Sequence, residues 1–265
     1  MSQRRLWIIK VGSQLIVEGG PLLLRSWIED VAFLKQNHGI DIIWVTSGAI
    51  ASARKRIAKN WQSLPEKQAL SAIGQPMLME QYNLALQAHG LMGAQVLLSY
   101  GDFKNKKNRT NLRNTLKKLL DWKVLPILNE NDAVATDEIQ FGDNDFLSSL
   151  VAVEMQADRL IILTNVDGLF DQNPDKNPNA RLIQHIPRLT IKHLNAIDAK
   201  AKSAHGRGGM YSKLRAALHA QKHKVPTTIL RGDQNHALLK LLDPQAIATH
   251  VGPILKNKKK VSNKK

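Results

Sequence analysis

Short apolar runs alternate with longer amphipathic stretches along this chain, and that rhythm limits the fold more than any other feature. "RLWIIKV" (5–11), "IDIIWV" (40–45), "GAQVLL" (93–98), "VLPIL" (124–128), "RLIILT" (159–164) and "PTTILRG" (226–232) read as strands. Between them lie helical patterns. In 25–39, Trp27, Ile28, Val31 and Leu34 share one face and Gly39 ends the helix. Further helices are expected within 49–89, interrupted near Pro65 and Gly74, and over 111–122, 146–156 and 210–223. Strands that alternate with helices pair in parallel through right-handed crossovers, which gives an α/β fold with a mainly parallel central sheet covered on both faces. In such a sheet ligands sit beyond the carboxyl ends of the strands, so the residues just after each strand are the ones to inspect.

Composition narrows the class. At 265 residues the chain can bury a full core. No apolar run approaches the roughly 20 residues of a membrane helix, and the first one, Leu6–Ile9, stops at Lys10, short of a signal peptide. With no cysteine there are neither disulfides nor thiolate metal sites, which fits a cytoplasmic location. The formal charge of +16 is uneven: "KNKKKVSNKK" (256–265) holds six lysines, and "KNKKNR" (104–109) holds four more cations. These read as a solvated, disordered tail after a domain spanning 1–255, and as an exposed loop. An anionic partner, nucleic acid in particular, is the other reading of the tail, although no aromatics are interleaved to stack on bases. No membrane role is expected.

Against that basic background, "NENDAVATDEIQFGDND" (129–145) packs six carboxylates and three asparagines into seventeen residues. Other strand ends carry a different chemistry. "KVGS" joins Lys10 to Gly12 and Ser13, where a close backbone turn can face an anion. "TSGAIAS" puts Ser47 and Gly48 before a helix; alone, Ser47 reads as a helix N-cap. Thr164-Asn165 precedes a turn at Val166-Asp167-Gly168. "GRGGMYSK" (206–213) is a glycine loop opening a helix that carries Lys213, without the spacing of a Walker loop. Two lysine-bearing loops suit phosphate, and the acid-and-amide loop suits a cationic or zwitterionic acceptor.

In order along the chain, "IIKVGS", "VTSGAIA", "ALSAIGQ", "ILNENDAVAT", "FGDNDFLSSLVA", "ILTNVDGLF" and "GRGGMYSK" resemble the amino acid kinase family, in its glutamate 5-kinase branch. The resemblance runs from about residue 5 to 250 and implies a three-layer α/β/α sandwich. It implies phosphorylation of the γ-carboxylate of L-glutamate by ATP with Mg²⁺, the first step toward proline, and a homo-oligomer, dimer or tetramer. A kinase for another small carboxylate such as N-acetylglutamate, or a weakened relative that binds nucleotide or nucleic acid, are the alternatives. The roles implied are Lys10, Asp145 and Lys213 for catalysis, with Asp145 organising the lysines, and Ser47, Asp132 and Asn144 for glutamate. Lys10, Gly12, Ser13, Thr164, Asn165, Arg207, Gly208, Gly209, Met210, Tyr211, Ser212 and Lys213 are implied for ATP; no protein metal ligand is. Taken on their own, Asp132 and Asn144 also suit turns and Asp145 suits a helix N-cap. Asp137 and Glu138 read as exposed charges. Three departures stand out: Asn165 where the family commonly has aspartate, Arg207 where it has threonine, and a lysine tail where many members carry a PUA-type domain.

Overall fold

The computed structural model describes residues 5–54, 56–57, 63–134, 144–174, 176–195 and 209–253. Each apolar run forms a strand: β1 (Arg5–Val11), β2 (Ile40–Val45), β3 (Gly93–Leu98), β4 (Leu125–Glu130), β5 (Arg159–Thr164) and β7 (Thr227–Arg231). Two short ones, β6 (His185–Ile186) and β8 (Thr249–Val251), were not expected from the sequence. The sheet order is β3-β4-β2-β1-β5-β7-β8-β6. All pairs from β3 to β7 are parallel; β8 turns antiparallel to β7, and β6 follows β8.

Period-two alternation in the strands assigns each side chain to a layer. Trp7, Ile9 and Val11 of β1 join Ile42 and Trp44 in one core, against Trp27 and Val31 of α1 (Ser13–His38) and Leu78 and Tyr82 of α3 (Leu64–Gln87). Ile8, Val45, Leu128 and Ile162 point the other way. They meet Leu116 of α5 (Lys106–Asp121), Leu147 and Val151 of α6 (Asn144–Glu154) and Ala216 of α7 (Gly209–Lys222). Two helical layers thus enclose the sheet, and each fully buried large side chain stabilises by about 1.5–3 kcal/mol before entropy is counted. Several buried polar groups find partners across the layers. Trp27 Nε1 donates to the Gly232 carbonyl at 2.8 Å, and Trp44 Nε1 donates to the Tyr82 hydroxyl at 2.8 Å. Buried Asp30 accepts from the Leu238 N–H and pairs with His236, pinning the turn after β7 to α1.

The helices depart from expectation in three places. Helix α1 begins at Ser13, twelve residues earlier than its amphipathic pattern suggests; Gly20 leaves helical geometry (φ 60°, ψ −163°), which lets Pro21 start the longer second segment. "KNKKNR" is no loop. A Ser99–Asp102 capping box starts α4 (Tyr100–Lys104), and the Asn105 side chain accepts from the N–H groups of Lys107 and Asn108 to start α5. Helix α3, opened by a Ser63–Glu66 capping box with Pro65 in its first turn, continues through Gly74. That residue is a contact point with α2 (Ala49–Arg54), not a breaker: a Cβ there would stand 1.8 Å from the Ala49 carbonyl oxygen. Among the described residues no helix is long and apolar enough to cross a membrane. Asp137, Glu138, Arg207, Gly208 and the 256–265 tail lie outside the described residues.

The tight α2–α3 crossing yields a prediction. Gly74→Ala must push the two helices apart, because the obstacle is backbone and cannot rotate away. A loss of about 1–3 kcal/mol is expected from overpacking, read as a lower urea midpoint with an unchanged slope. An unchanged midpoint would show that the crossing tolerates a methyl group.

Candidate active site

The carboxyl ends of β4, β2, β1 and β5 lie side by side on one edge of the sheet. Lys10, one position before the end of β1, shares the face of Ile8 and so points toward α6 and α7. Asp145 sits in the first turn of α6, where the helix dipole favours a negative charge. It is 1% exposed, and Lys10, also buried, forms a close ion pair with its Oδ1. Lys213, from the start of α7, reaches Oδ2 at 3.2 Å, and the Ser212 hydroxyl donates to the same oxygen at 2.6 Å. Burial alone would raise the Asp145 pKa. The charges of Lys10 and Lys213, with the hydrogen bonds from Lys10 and Ser212, outweigh it and hold the carboxyl well below the ordinary range. One buried carboxylate therefore gathers two ammonium groups separated by about 200 residues.

Backbone groups frame this triad. Gly12 precedes α1 as its N-cap without a side-chain cap bond, and a Cβ on it would lie 3.6 Å from Lys10 Nζ. Val11 pairs with Leu163, so Gly12, just past β1, follows on beside Thr164, the last residue of β5. Asn165 accepts weakly from Thr164 at 3.4 Å. Gly209 is the first residue of α7, and its carbonyl accepts from Lys213 and Ser212. Met210 and Tyr211 lean on the apolar cluster of Leu169, Leu214 and Ile229.

Next to the triad is a cluster built mainly of amides and hydroxyls. Asn144 precedes Asp145 on α6, and its amide nitrogen lies 2.6 Å from the Thr46 carbonyl, 2.7 Å from Asn129 Oδ1 and 3.0 Å from Ser47 Oγ. Asn129 in turn donates to Gln75 Oε1 at 2.7 Å. One turn earlier on α3, the Ser71 hydroxyl donates to Asp132 Oδ2 at 3.0 Å. Burial raises the pKa of Asp132, and Ser71 only partly offsets it. Asn144 Oδ1 is buried and has no hydrogen-bond partner among the described residues. The Tyr82 hydroxyl also bonds Thr46 Oγ1 at 2.8 Å, which fixes the end of β2 and hence the Ser47 loop. Gly48 takes φ +104° there, a conformation that suits glycine.

Ser47, Asp132, Asn144, Asp145, Lys10 and Lys213 thus fall into two adjoining clusters. The N-cap reading of Ser47 does not hold: α2 starts at Ala49, and the hydroxyl serves Asn144. Asp145 is inside α6 with its side chain on the lysines, so it is no N-cap either. Sequence reasoning overlooked Ser71, Gln75 and Asn129 as individual residues. The i, i+4 spacing of the first two within "ALSAIGQ" puts them on one helical face and was the available signal.

Comparison with known proteins gives a consistent picture. The model of the amino acid kinase family matches residues 5–231. The chain is similar to "Glutamate 5-kinase" of Maridesulfovibrio salexigens, 41% identical over 97% of this chain and 68% of the relative. A protein of the same description from Pseudomonas fluorescens is 40% identical over 93% and 68%, and one from Methylococcus capsulatus is 38% identical over 95% and 70%. Among solved structures, the UMP kinase of Ureaplasma parvum superposes with a TM-score of 0.60 at 14% identity, over 95% of this chain and 100% of that one. An isopentenyl phosphate kinase substrate complex reaches 0.62 at 15% identity, over 92% and 99%. These two structures share the fold.

The triad predicts a pH signature in stability. The folded pKa of Asp145 lies below the unfolded value of about 3.9, so its contribution is complete above that value and is lost as the pH falls through the folded one. Asp145→Asn leaves two ammonium groups facing each other and costs about 3–5 kcal/mol at pH 7. Urea unfolding of both proteins at pH 7, 4 and 3 should show that gap narrowing in acid. A gap constant with pH would contradict the ion-pair geometry.

Proposed function

The chain belongs to the amino acid kinase family, and from that premise we propose that it transfers the γ-phosphoryl group of ATP to the γ-carboxylate of L-glutamate, giving γ-glutamyl phosphate and ADP as the first step of proline biosynthesis. The observation that carries the reading is the junction at the start of α6. Asn144 belongs to the amide cluster, and the next residue, Asp145, holds both lysines. An acceptor gripped by the first cluster presents its distal carboxylate to the second.

The chemistry asks little of a base. A glutamate side chain with a pKa of about 4.3 is already ionised at neutral pH. Its oxygen attacks the γ-phosphorus, the bond to the β,γ-bridging oxygen breaks, and that electron pair leaves with ADP; no proton moves. The obstacle is repulsion between acceptor and polyphosphate, ~4 kcal/mol for two unit charges 4 Å apart at an effective dielectric of 20. Lys10 and Lys213 supply the compensating charge, pre-set by Asp145 and so needing no reorganisation at the moment of transfer. Gly12, Ser13, Thr164 and Asn165 bound the nucleotide side, with Gly209 to Lys213 opposite; Arg207 and Gly208 complete the proposed ATP set.

The acceptor cluster favours an ammonium. Among the described residues no cation pairs with the Asp132 carboxylate, and the buried amide oxygen of Asn144 has no partner. An α-ammonium satisfies both, whereas an N-acylated acceptor satisfies neither. Mg²⁺ accompanies ATP, screening its charge from phosphate and water ligands. Among the described residues no three His, Cys, Asp or Glu side chains gather to hold a metal, and Asp145 is engaged by two cations and a hydroxyl.

With ATP, Mg²⁺, glutamate and hydroxylamine the protein should form γ-glutamyl hydroxamate, and N-acetylglutamate should not substitute. Lys213→Ala should lower kcat by about 10²–10³ with little change in KM. Asp132→Ala should instead raise the KM for glutamate, with kcat far less affected. Turnover that survives loss of Lys213 would refute the two-lysine scheme.

A further inference from the structure

A cavity at the opposite end of the sheet takes no part in that chemistry. It measures about 350 Å³ and is walled by the amino ends of β5 and β7, by β8 and by the turn 243–246. Arg159 opens β5 and Thr164 closes it. At ~3.3 Å per residue the cavity stands about 17 Å from the nucleotide edge.

Its polar wall is mainly basic in composition. Arg159, His185 and His250 line it. The Arg159 guanidinium lies 5.3 Å from the centre of the Trp7 ring and, among the described residues, is paired with no carboxylate. Burial lowers its pKa, and nearby Arg5 lowers it further. His250 behaves likewise: burial comes first, then Arg159 and His185, while its Nδ1 meets the Thr228 hydroxyl at 3.1 Å. The acid on the wall is Asp243, an exposed rim residue whose Oδ1 is occupied by the Gln245 N–H. The remaining lining is apolar, with Pro226, Leu241, Pro244 and Val251. A half-buried guanidinium with an aromatic face behind it and apolar walls around it lacks one thing, a counter-anion. The volume lies at the small end of the range for small-molecule sites.

We propose that this cavity binds a small organic anion, with a single carboxylate or phosphate seated on Arg159 and an apolar body against Pro226, Leu241 and Val251. The site is separate from the Lys10–Lys213 cleft, and the assignment does not depend on the reaction performed there.

Benzoate and phenyl phosphate are suitable probes, since each joins one anionic group to a compact apolar ring. Calorimetric titration of the full chain should detect binding of at least one of them, and the tighter of the two identifies the carboxylate or the phosphate as the group recognised. Imidazole resonances of His250 should move during the titration. Lys213→Ala should keep this binding. Arg159→Gln should weaken it by about tenfold or more, the loss expected for a charge-assisted hydrogen bond. Ala246→Trp, which fills the cavity and leaves Arg159 in place, should weaken it comparably and decides the matter if Arg159→Gln misfolds by circular dichroism. Failure of both probes to bind, unaltered binding by Ala246→Trp, or weakening that follows Lys213→Ala overturns the assignment.

Discussion

A carboxylate buried between two ammonium groups leaves the chain few arrangements. Asp145 without its lysines would be an ionised group stripped of water, and the lysines without Asp145 would repel at close range. The three residues sit on β1, α6 and α7, so their ion pair forms only when the first strand, the helix after the acid-rich loop and the helix after the glycine loop are all in place. The triad carries a net positive charge, and that charge faces the edge where polyphosphate is proposed to lie. The carboxylate that makes two close cations tolerable also fixes where they stand.

The neighbouring cluster solves a different problem with neutral groups. A zwitterionic acceptor bearing two carboxylates would be repelled by a pocket lined with acids and held too loosely by water alone. Amides have direction without net charge. Gln75 takes the Asn129 amide nitrogen, Asn129 Oδ1 takes the Asn144 nitrogen, and Asn144 is thereby held with its oxygen left over. The orientation of the Asn144 amide is set by two residues standing behind it, and Tyr82 holds the Ser47 loop from the other side. Asp132 adds a negative charge, tempered by Ser71.

Most of the sheet was legible because strand alternation and length are local properties; "RLWIIKV", "GAQVLL" and "RLIILT" coincide with β1, β3 and β5. The meeting of Lys10, Asp145 and Lys213 could be anticipated from motif order, and the structure brings these three together. Features that depend on distant partners were not legible. Gly74 looks like a helix breaker until Ala49 is placed against it, and Asn129 has no assigned role until Gln75, 54 residues earlier, is found facing it. Strands β6 and β8, two and three residues long, carry no periodicity to detect. The start of α1 was hidden for the opposite reason: Gly20 and Pro21 are strong local stop signals that the chain overrides by restarting the helix.

Strand direction accounts for both concave sites. Ligand crevices in open α/β sheets lie beyond carboxyl ends, and the parallel strands β4, β2, β1 and β5 send theirs to the edge that holds the two lysines. Strand β8 runs the other way: Val251 pairs with Thr227, so its carboxyl end arrives where β7 begins. The loop leaving β8 through Pro253 therefore meets Arg159 at the amino end of β5, an edge that an all-parallel sheet would leave to the incoming connections. Thr249, the first residue of β8, also accepts from the Leu169 N–H in the segment after β5. One antiparallel strand of three residues thus joins β6 to the rest of the sheet, seats the segment that follows β5 and builds the wall of a second cavity.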